Sequence, residues 1–346
     1  MNDHVTDNER DDQPRREITI RDVAREAGVS RQTVSRAINN KPEISPKTRQ
    51  RILAIARRLG YRPNSIARSL KTRRTSTIGL IVPDIANPFF AQVVRGASEY
   101  AYAAGLSVFL CNTDEHPGRE ETILRMLRAH RVEGLVLISS RLDKDALEGV
   151  IEWCRPLVLV NRMMSPRAGV GCVCSNDADG AMVALQHLFE RGHRHIGLLA
   201  GRPESRSSRE RLRGYRQAMR VAGVPDCKPW CVSCAPTVAG GREATQSLLG
   251  AHPELTALLC YNDLVAVGAE QACRAMHLAI PEHCALVGFD DIEFAAHVSP
   301  PLTTMSTPKT DIGQRAMALL LDLVDHPDAA PEPVSLDAEL VVRGSS

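Results

Sequence analysis

The sequence predicts a small all-α headpiece followed by a large α/β domain of two doubly wound lobes. Three observations predict it. Three short helical patterns, each opened by a capping Ser or Thr, fall between residues 19 and 60. From Ile78 onward, apolar runs of strand length alternate with amphipathic stretches, the mark of parallel sheet covered on both faces. Charge divides at the same place: residues 15–75 hold seventeen Lys and Arg against four acids, a net of +13 in a chain whose total is +2. A basic small part on an acidic large one points to a polyanion partner for the first part only.

The order of elements follows from local signals. Residues 1–17 are polar and charged and are expected to be a disordered tail. Thr19 caps a helix from Ile20 to about Ala27, with Asp22 completing a capping box and Ile20, Val23, Ala24 and Ala27 as its stripe. Gly28 supplies the turn. Ser30 caps a second helix, and Ser45, followed by Pro46, opens a third that Gly60 ends. The headpiece is therefore placed at 18–63 and a linker at 64–75. Runs such as TIGLIVPD (77–84), GLVLIS (134–139), LVLVNR (157–162), HIGLLAG (195–201) and ALVGFDD (285–291) make the strands of 76–346. About 270 residues of this pattern are too many for one lobe.

The bulk chemistry excludes several classes. No h-region opens the chain and no run approaches ~18 apolar residues, so a cytoplasmic, nucleoid-associated protein is expected, without membrane contact. All ten cysteines lie after residue 110 and read as reduced, buried thiols. Cys231 and Cys234 form a CxxC with Cys227 near, but no second pair follows, so no metal is expected. There is no GxGxxG after a strand, no Walker loop and no GxSxG elbow, so no cofactor and no enzyme are expected. A periplasmic transport protein is disfavoured by the basic headpiece and the missing leader.

Two helices of about eight residues joined by a Gly-containing turn, with a third behind, make a helix-turn-helix. Its second helix places its N-terminal residues at base edges in the major groove. Arg31 and Gln32 occupy that first turn and Arg36 follows on the same face. Arg pairs bidentately with guanine and Gln with adenine. Thr33, Ser35, Arg49 and Arg51 suit phosphate contacts, and Thr19 and Asn39 complete the expected DNA-contacting set.

The segment TIRDVAREAGVSRQTVSR (19–36) resembles the headpiece of the lactose/galactose repressor family, and the likeness runs to Asn64. The resemblance makes Arg31, Gln32 and Arg36 the base-reading residues. It also makes NSIARSL (64–70) a hinge helix, with Asn64 as cap, Ala67 in the minor groove and Leu70 as the wedge that opens the central step. Such a helix is too short to be stable alone and folds with its dimer mate and DNA.

Residues 76–346 resemble the periplasmic-binding-protein-like effector domain of the same family. The resemblance implies a cleft at the strand ends, with Asp84, Asn87, Phe89 and Phe90 at its mouth. Asn161, Arg211, Asn262 and Asp290 are the polar contacts, with one Phe stacking and the other in the core. Ser205 and Ser207 are placed to tune the choice. The small-molecule effector is expected to be a mono- or disaccharide or a derivative, with a purine or sugar phosphate left open. The partners implied are a palindromic double-stranded DNA operator and a second copy, and the absence of a heptad extension favours a dimer. Ligand binding would close the lobes and shift operator affinity.

Overall fold

The computed structural model describes residues 18–61, 75–224 and 227–346. The chain separates into two compact units, Met1–Thr75 and Ser76–Ser346.

The first unit is three helices, α1 (Ile20–Ala27), α2 (Arg31–Ile38) and α3 (Pro46–Arg58). Each starts where its cap lies. Asp22 accepts from the Thr19 amide at 3.0 Å and from its hydroxyl at 2.7 Å. Ser30 Oγ accepts from Thr33 N at 3.1 Å, and Ser45 Oγ accepts from Thr48 N at 3.2 Å. Gly28 turns the chain at φ 62°, a conformation in which a Cβ is strained. Val23, Ala24, Ala27, Val34, Ala37, Ile52 and Ala56 form the core. So few buried side chains stabilise little beyond the entropy cost of ordering the unit, which makes each helix cap count.

The second unit holds two six-stranded sheets. The N-lobe sheet is built from β1 (Thr77–Val82), β2 (Ser107–Asn112), β3 (Gly134–Ile138), β4 (Leu157–Val160), β5 (Val170–Ser175) and, from near the end of the chain, β11 (Val334–Leu336). Its order is β11-β5-β4-β3-β1-β2. The C-lobe sheet is built from β6 (Ile196–Ala200), β7 (Cys231–Ser233), β8 (Ala257–Cys260), β9 (Ala285–Asp290), β10 (Thr303–Ser306) and β12 (Glu339–Val341). Its order is β12-β10-β9-β8-β6-β7. Pairing is parallel except between β10 and β12.

Helices cover both faces. In the N-lobe, α4 (Pro88–Ala103) and a late helix, Lys309–Asp325, cover one, and α5 (Pro117–Ala129) and α6 (Lys144–Trp153) the other. In the C-lobe, α7 (Asp177–Glu190) and α8 (Arg206–Val221) lie opposite α9 (Val238–Ala251) and α10 (Asp263–Ala275). The continuous apolar strands are thereby explained: β3, β4, β5, β6, β8 and β9 are buried along their whole length.

The chain crosses between lobes three times: after β5, after β10, and between β11 and β12. The second crossing leads into the late helix, α11 (Lys309–Asp325), which packs in the N-lobe. Gly96 and Gly313 let α4 and α11 touch backbone to backbone: a Cβ on Gly313 would overlap the Val93 carbonyl, and one on Gly96 the Thr310 carbonyl. The start of α11 is therefore fixed to the N-lobe while β10 belongs to the C-lobe.

Among the described residues, no helix is long and apolar enough to cross a membrane. All ten cysteines are free thiols. Cys231 Sγ donates to Cys227 O at 3.4 Å, and Cys234 Sγ to Ala200 O at 3.5 Å. Among the described residues no group of three His, Cys, Asp or Glu is placed to hold a metal ion.

Candidate functional site

In the headpiece, α2 divides by chemistry. Val34 and Ala37 are buried, whereas Arg31, Gln32, Arg36 and Asn39 face solvent and Thr33 and Ser35 are half-buried. Its neighbours spend their polar groups locally. Asn39 donates to Ser35 O at 2.8 Å, and Thr33 Oγ1 pairs with Ser30 Oγ at 2.9 Å. Arg31, Gln32 and Arg36 extend into solvent instead. Thr19 is exposed but holds Asp22. Two of the expected phosphate contacts have another job. Arg51 donates to Ala27 O at 3.0 Å, and Arg49 to Lys41 O, which ties the third helix to the turns on either side of the second. The hinge residues Asn64, Ala67 and Leu70 lie outside the described residues.

In the large unit, one cavity between the lobes is lined by residues of both. Asn87, Phe89, Phe90, Asn161, Arg211, Asn262 and Asp290 all line it, as does Ser207. Asp84 does not; its carboxylate turns back to accept from Ala86 N at 2.9 Å. Both phenylalanines line the cavity, edge to face at 5.2 Å, and both also pack into the N-lobe core, where the sequence places only one. The reason is that Asn87 caps α4, accepting from Phe89 N at 2.9 Å, so both rings sit in the first turn, and it is the end of the helix that faces the cavity. The rule that neighbours on a helix point apart governs its sides, not its end. Asn262 likewise caps α10, accepting from Val265 N at 2.9 Å.

Among the described residues, Arg211 is the one basic side chain lining the cavity. It donates to Asp177 at 2.8–2.9 Å and to the Tyr261 carbonyl, and it lies 3.7 Å from Asp290 and 3.5 Å over the Phe289 ring. Burial pushes the Asp290 carboxyl up to about 8, even though Arg211 and Lys309 pull the other way. Asn161 sits at φ 55°, with Nδ2 donating to Ser139 Oγ at 3.2 Å. Its Oδ1 is buried and has no hydrogen-bond partner. A buried acceptor left unmatched is costly, and this one lies on the cavity wall.

Glu115, Ser139, Pro236 and Tyr261 complete the lining and are not singled out by the sequence patterns. Arg141 grips the Glu115 carboxylate at 2.6 and 2.9 Å. Tyr261 belongs to the YND segment that ends β8, and Ser139 ends β3, so the strand-end rule could have found both. Nothing in the segment TDEHPG announces Glu115. Ser205 is one step removed: it caps α8 and pairs with Tyr261 Oη at 3.1 Å. Arg162 and Asp291 are structural, Arg162 donating to Leu142 O at 2.8 Å and Asp291 pairing with Arg343 at 2.7 Å.

Residues 19–64 match the family described as "Bacterial regulatory proteins, lacI family", and residues 185–346 match a periplasmic binding protein-like domain. The HTH-type transcriptional repressor PurR of Photobacterium profundum is 35% identical over 328 residues, covering 94% of this chain and 98% of its own. The repressor CytR of Escherichia coli is 34% identical over 328 residues, covering 95% of this chain and 96% of its own. Among solved structures, the Lac repressor dimer bound to operator and the anti-inducer ONPF superposes with TM-score 0.85 at 29% identity, over 95% of this chain and 99% of that one. The regulator CelR in complex with cellobiose gives TM-score 0.73 at 31% identity, over 95% of this chain and all of that one. A helix-turn-helix with an unspent polar face, a two-lobed α/β unit with a polar cleft, and homology along both make this chain a DNA-binding regulator belonging to the lacI family of bacterial regulatory proteins.

Proposed function

We propose that the protein represses transcription from a palindromic operator, and that an uncharged, hydroxyl-rich small molecule, a mono- or disaccharide or a derivative, in the inter-lobe cleft controls its hold on DNA. The observation that carries the first part is the solvent face of α2, where Arg31, Gln32 and Arg36 project from a helix anchored by Val34 and Ala37. Thr19, Thr33, Ser35 and Asn39 flank them as backbone contacts. The hinge segment contributes Asn64, Ala67 and Leu70 at the minor groove, in line with the family resemblance. A second copy supplies the other half-site. The exposed edge strand β2, with Phe109 and Leu110, and Tyr102 beside it on α4, offers apolar surface for that copy. The working place is the bacterial cytoplasm, on the nucleoid.

The effector class follows from which cavity groups remain unsatisfied. The lining guanidinium of Arg211 is already committed to Asp177 and the Tyr261 carbonyl, so among the described residues no uncommitted cation awaits a phosphate there. The free group is an acceptor, Asn161 Oδ1; the Glu115 carboxylate is held by Arg141, and the Asp290 carboxyl, kept protonated by burial, both donates and accepts. Hydroxyls, which donate and accept, pair with such a set. Phe89 and Phe90 offer an apolar face for a ring. The relatives solved with cellobiose and with ribose carry ligands of this kind.

Footprinting on genomic fragments is expected to give a two-fold symmetric site whose affinity falls by about 10³ or more between 50 and 200 mM salt. Arg31→Ala should cost about 1–3 kcal/mol and relax selectivity at one position per half-site. An asymmetric footprint would sink the dimeric reading. For the effector, thermal shifts are compared for ribose, ribose 5-phosphate, galactose, cellobiose and cytidine. Neutral ligands should raise the melting temperature, as ligand binding to the native state must. A phosphorylated sugar binding more tightly than its parent would reject the proposed effector class.

A further inference from the structure

The crossing from β10 into α11 carries one buried cation that the ligand cleft does not use directly. Lys309 is the first residue of α11 and is 7% exposed. Of the five lysines among the described residues, Lys41, Lys47, Lys144 and Lys228 are exposed, and Lys309 alone is buried. It also stands at a helix N-terminus, where the peptide dipoles disfavour a positive charge. A buried cation in that position needs strong compensation, and it has it. The ammonium donates to the carbonyls of Asp290, of Asp291 (2.9 Å) and of Thr307 (3.3 Å), three acceptors for three N–H donors.

Two of those carbonyls belong to an unusual turn. Asp290 and Asp291, at the end of β9, have φ of 114° and 54°, in the region L side chains rarely adopt. The turn is held from the C-lobe side by Arg343 on the Asp291 carboxylate and by Asp263 accepting from Ile292 N at 2.8 Å. Lys309 holds it from the helix whose body is packed into the N-lobe core. The Asp290 side chain, meanwhile, lines the cleft.

We infer that Lys309 is a positioning residue: its ammonium fixes the Asp290–Asp291 turn to the start of α11, so that the direction of the Asp290 carboxylate in the cleft and the path of the inter-lobe crossing change together. Lysine suits the role because its tetrahedral head meets three converging carbonyls, whereas a planar guanidinium would need a flat array. The contact supplies a physical link between a ligand-facing group and the crossing from β10 into α11 that joins the two lobes. The reading of Asp290 as an effector contact comes from the proposed function, but the clamp itself does not depend on it.

The test needs no effector, so its failure is separable from failure of the effector panel. Amide exchange is followed in the full chain over residues 288–293 and 309–314, for the unaltered protein, Lys309→Met, Asp291→Ala and the double variant. Lys309→Met should speed exchange in both segments by about tenfold, as loss of a charge-assisted bond implies. Asp291→Ala, which loosens the turn only from the C-lobe side, should speed exchange at 309–314 by a similar factor. In the Lys309→Met background it should add nothing there. If Asp291→Ala leaves 309–314 unchanged, or if the two effects multiply, the clamp does not couple the turn to the helix. Should Lys309→Met fail to fold, amine acylation of the remaining proteins decides the matter. Lys309 must react far more slowly than Lys144 and Lys228, and Asp291→Ala must speed it; equal reactivity of the three overturns the inference.

Discussion

Arg211→Met is expected to remove about 3–5 kcal/mol from the large unit, a fall in melting temperature on the order of 10 °C, together with the response to any effector. The size comes from what stays behind. Asp177 is fully buried in side chain and holds Arg211 at 2.8 Å, with Arg206 as its other cation among the described residues, at 3.6 Å. The second oxygen of Asp177 already lacks a hydrogen-bond partner. Taking the guanidinium away therefore leaves a carboxylate buried and nearly alone, and it also strips the contacts to the Tyr261 carbonyl and the Phe289 face. Removing one partner of a buried pair costs more than removing both. The double variant Asp177→Asn with Arg211→Met should thus recover a large share of the loss, while the effector response stays absent. Thermal unfolding of the two single variants and the double one decides it: strictly additive losses would mean that Arg211 acts by packing alone.

How much of this is legible in the sequence follows from the range over which each feature acts. The headpiece is readable because its information is local. Ser30 to Thr33 and Ser45 to Thr48 are three residues apart, and Gly28 acts at its own φ. Strand ends are readable because a buried parallel strand is a continuous apolar run, so the polar residue that stops it is visible. Asn161, Asn262 and Asp290 are marked in that way, and Tyr261 lies at the same kind of strand end. Glu115 is not readable, since its place is set by Arg141, twenty-six residues away, and by a loop at φ 60°. Asp84 shows the converse error: it sits at the right strand end, but a turn two residues long claims its carboxylate. Lys309 is the extreme case, because only the three-dimensional turn of Asp290 and Asp291 makes sense of a cation at the head of a helix.

The contribution of Asp290 and Asp263 to the stability of the large unit should fall as pH rises from about 4 to 8, and Asp290→Asn should remove much of that fall. Burial holds the Asp290 carboxyl protonated up to about 8 and the Asp263 carboxyl up to about 7. In the unfolded chain both ionise near pH 4. Between those limits the folded state binds more protons than the unfolded one, so each rise in pH favours unfolding. The contribution is fully present below the unfolded value and is lost as pH passes through the folded values. Each tenfold difference in proton affinity between the two states corresponds to about 1.4 kcal/mol per group, so several kcal/mol is the upper bound for Asp290. Asparagine mimics the protonated acid, so the variant and the parent should melt together near pH 4 and separate steadily toward pH 8, with the variant the more stable. Asp263→Asn provides the contrast. Asp263 accepts from Ile292 N at 2.8 Å and from Thr304 Oγ1 at 2.5 Å; in the variant Oδ1 keeps the Ile292 bond while Nδ2 donates to the Thr304 hydroxyl, which turns to accept. Its curve should therefore separate from the parent's over a narrower window, ending near pH 7. Parallel melting curves for Asp290→Asn and the parent would show that Asp290 is not the titrating group. If they diverge as expected while Asp290→Asn no longer answers to any compound the parent binds, then the chain keeps at this position an acid that weakens its own fold, and the compensating benefit lies in the cleft.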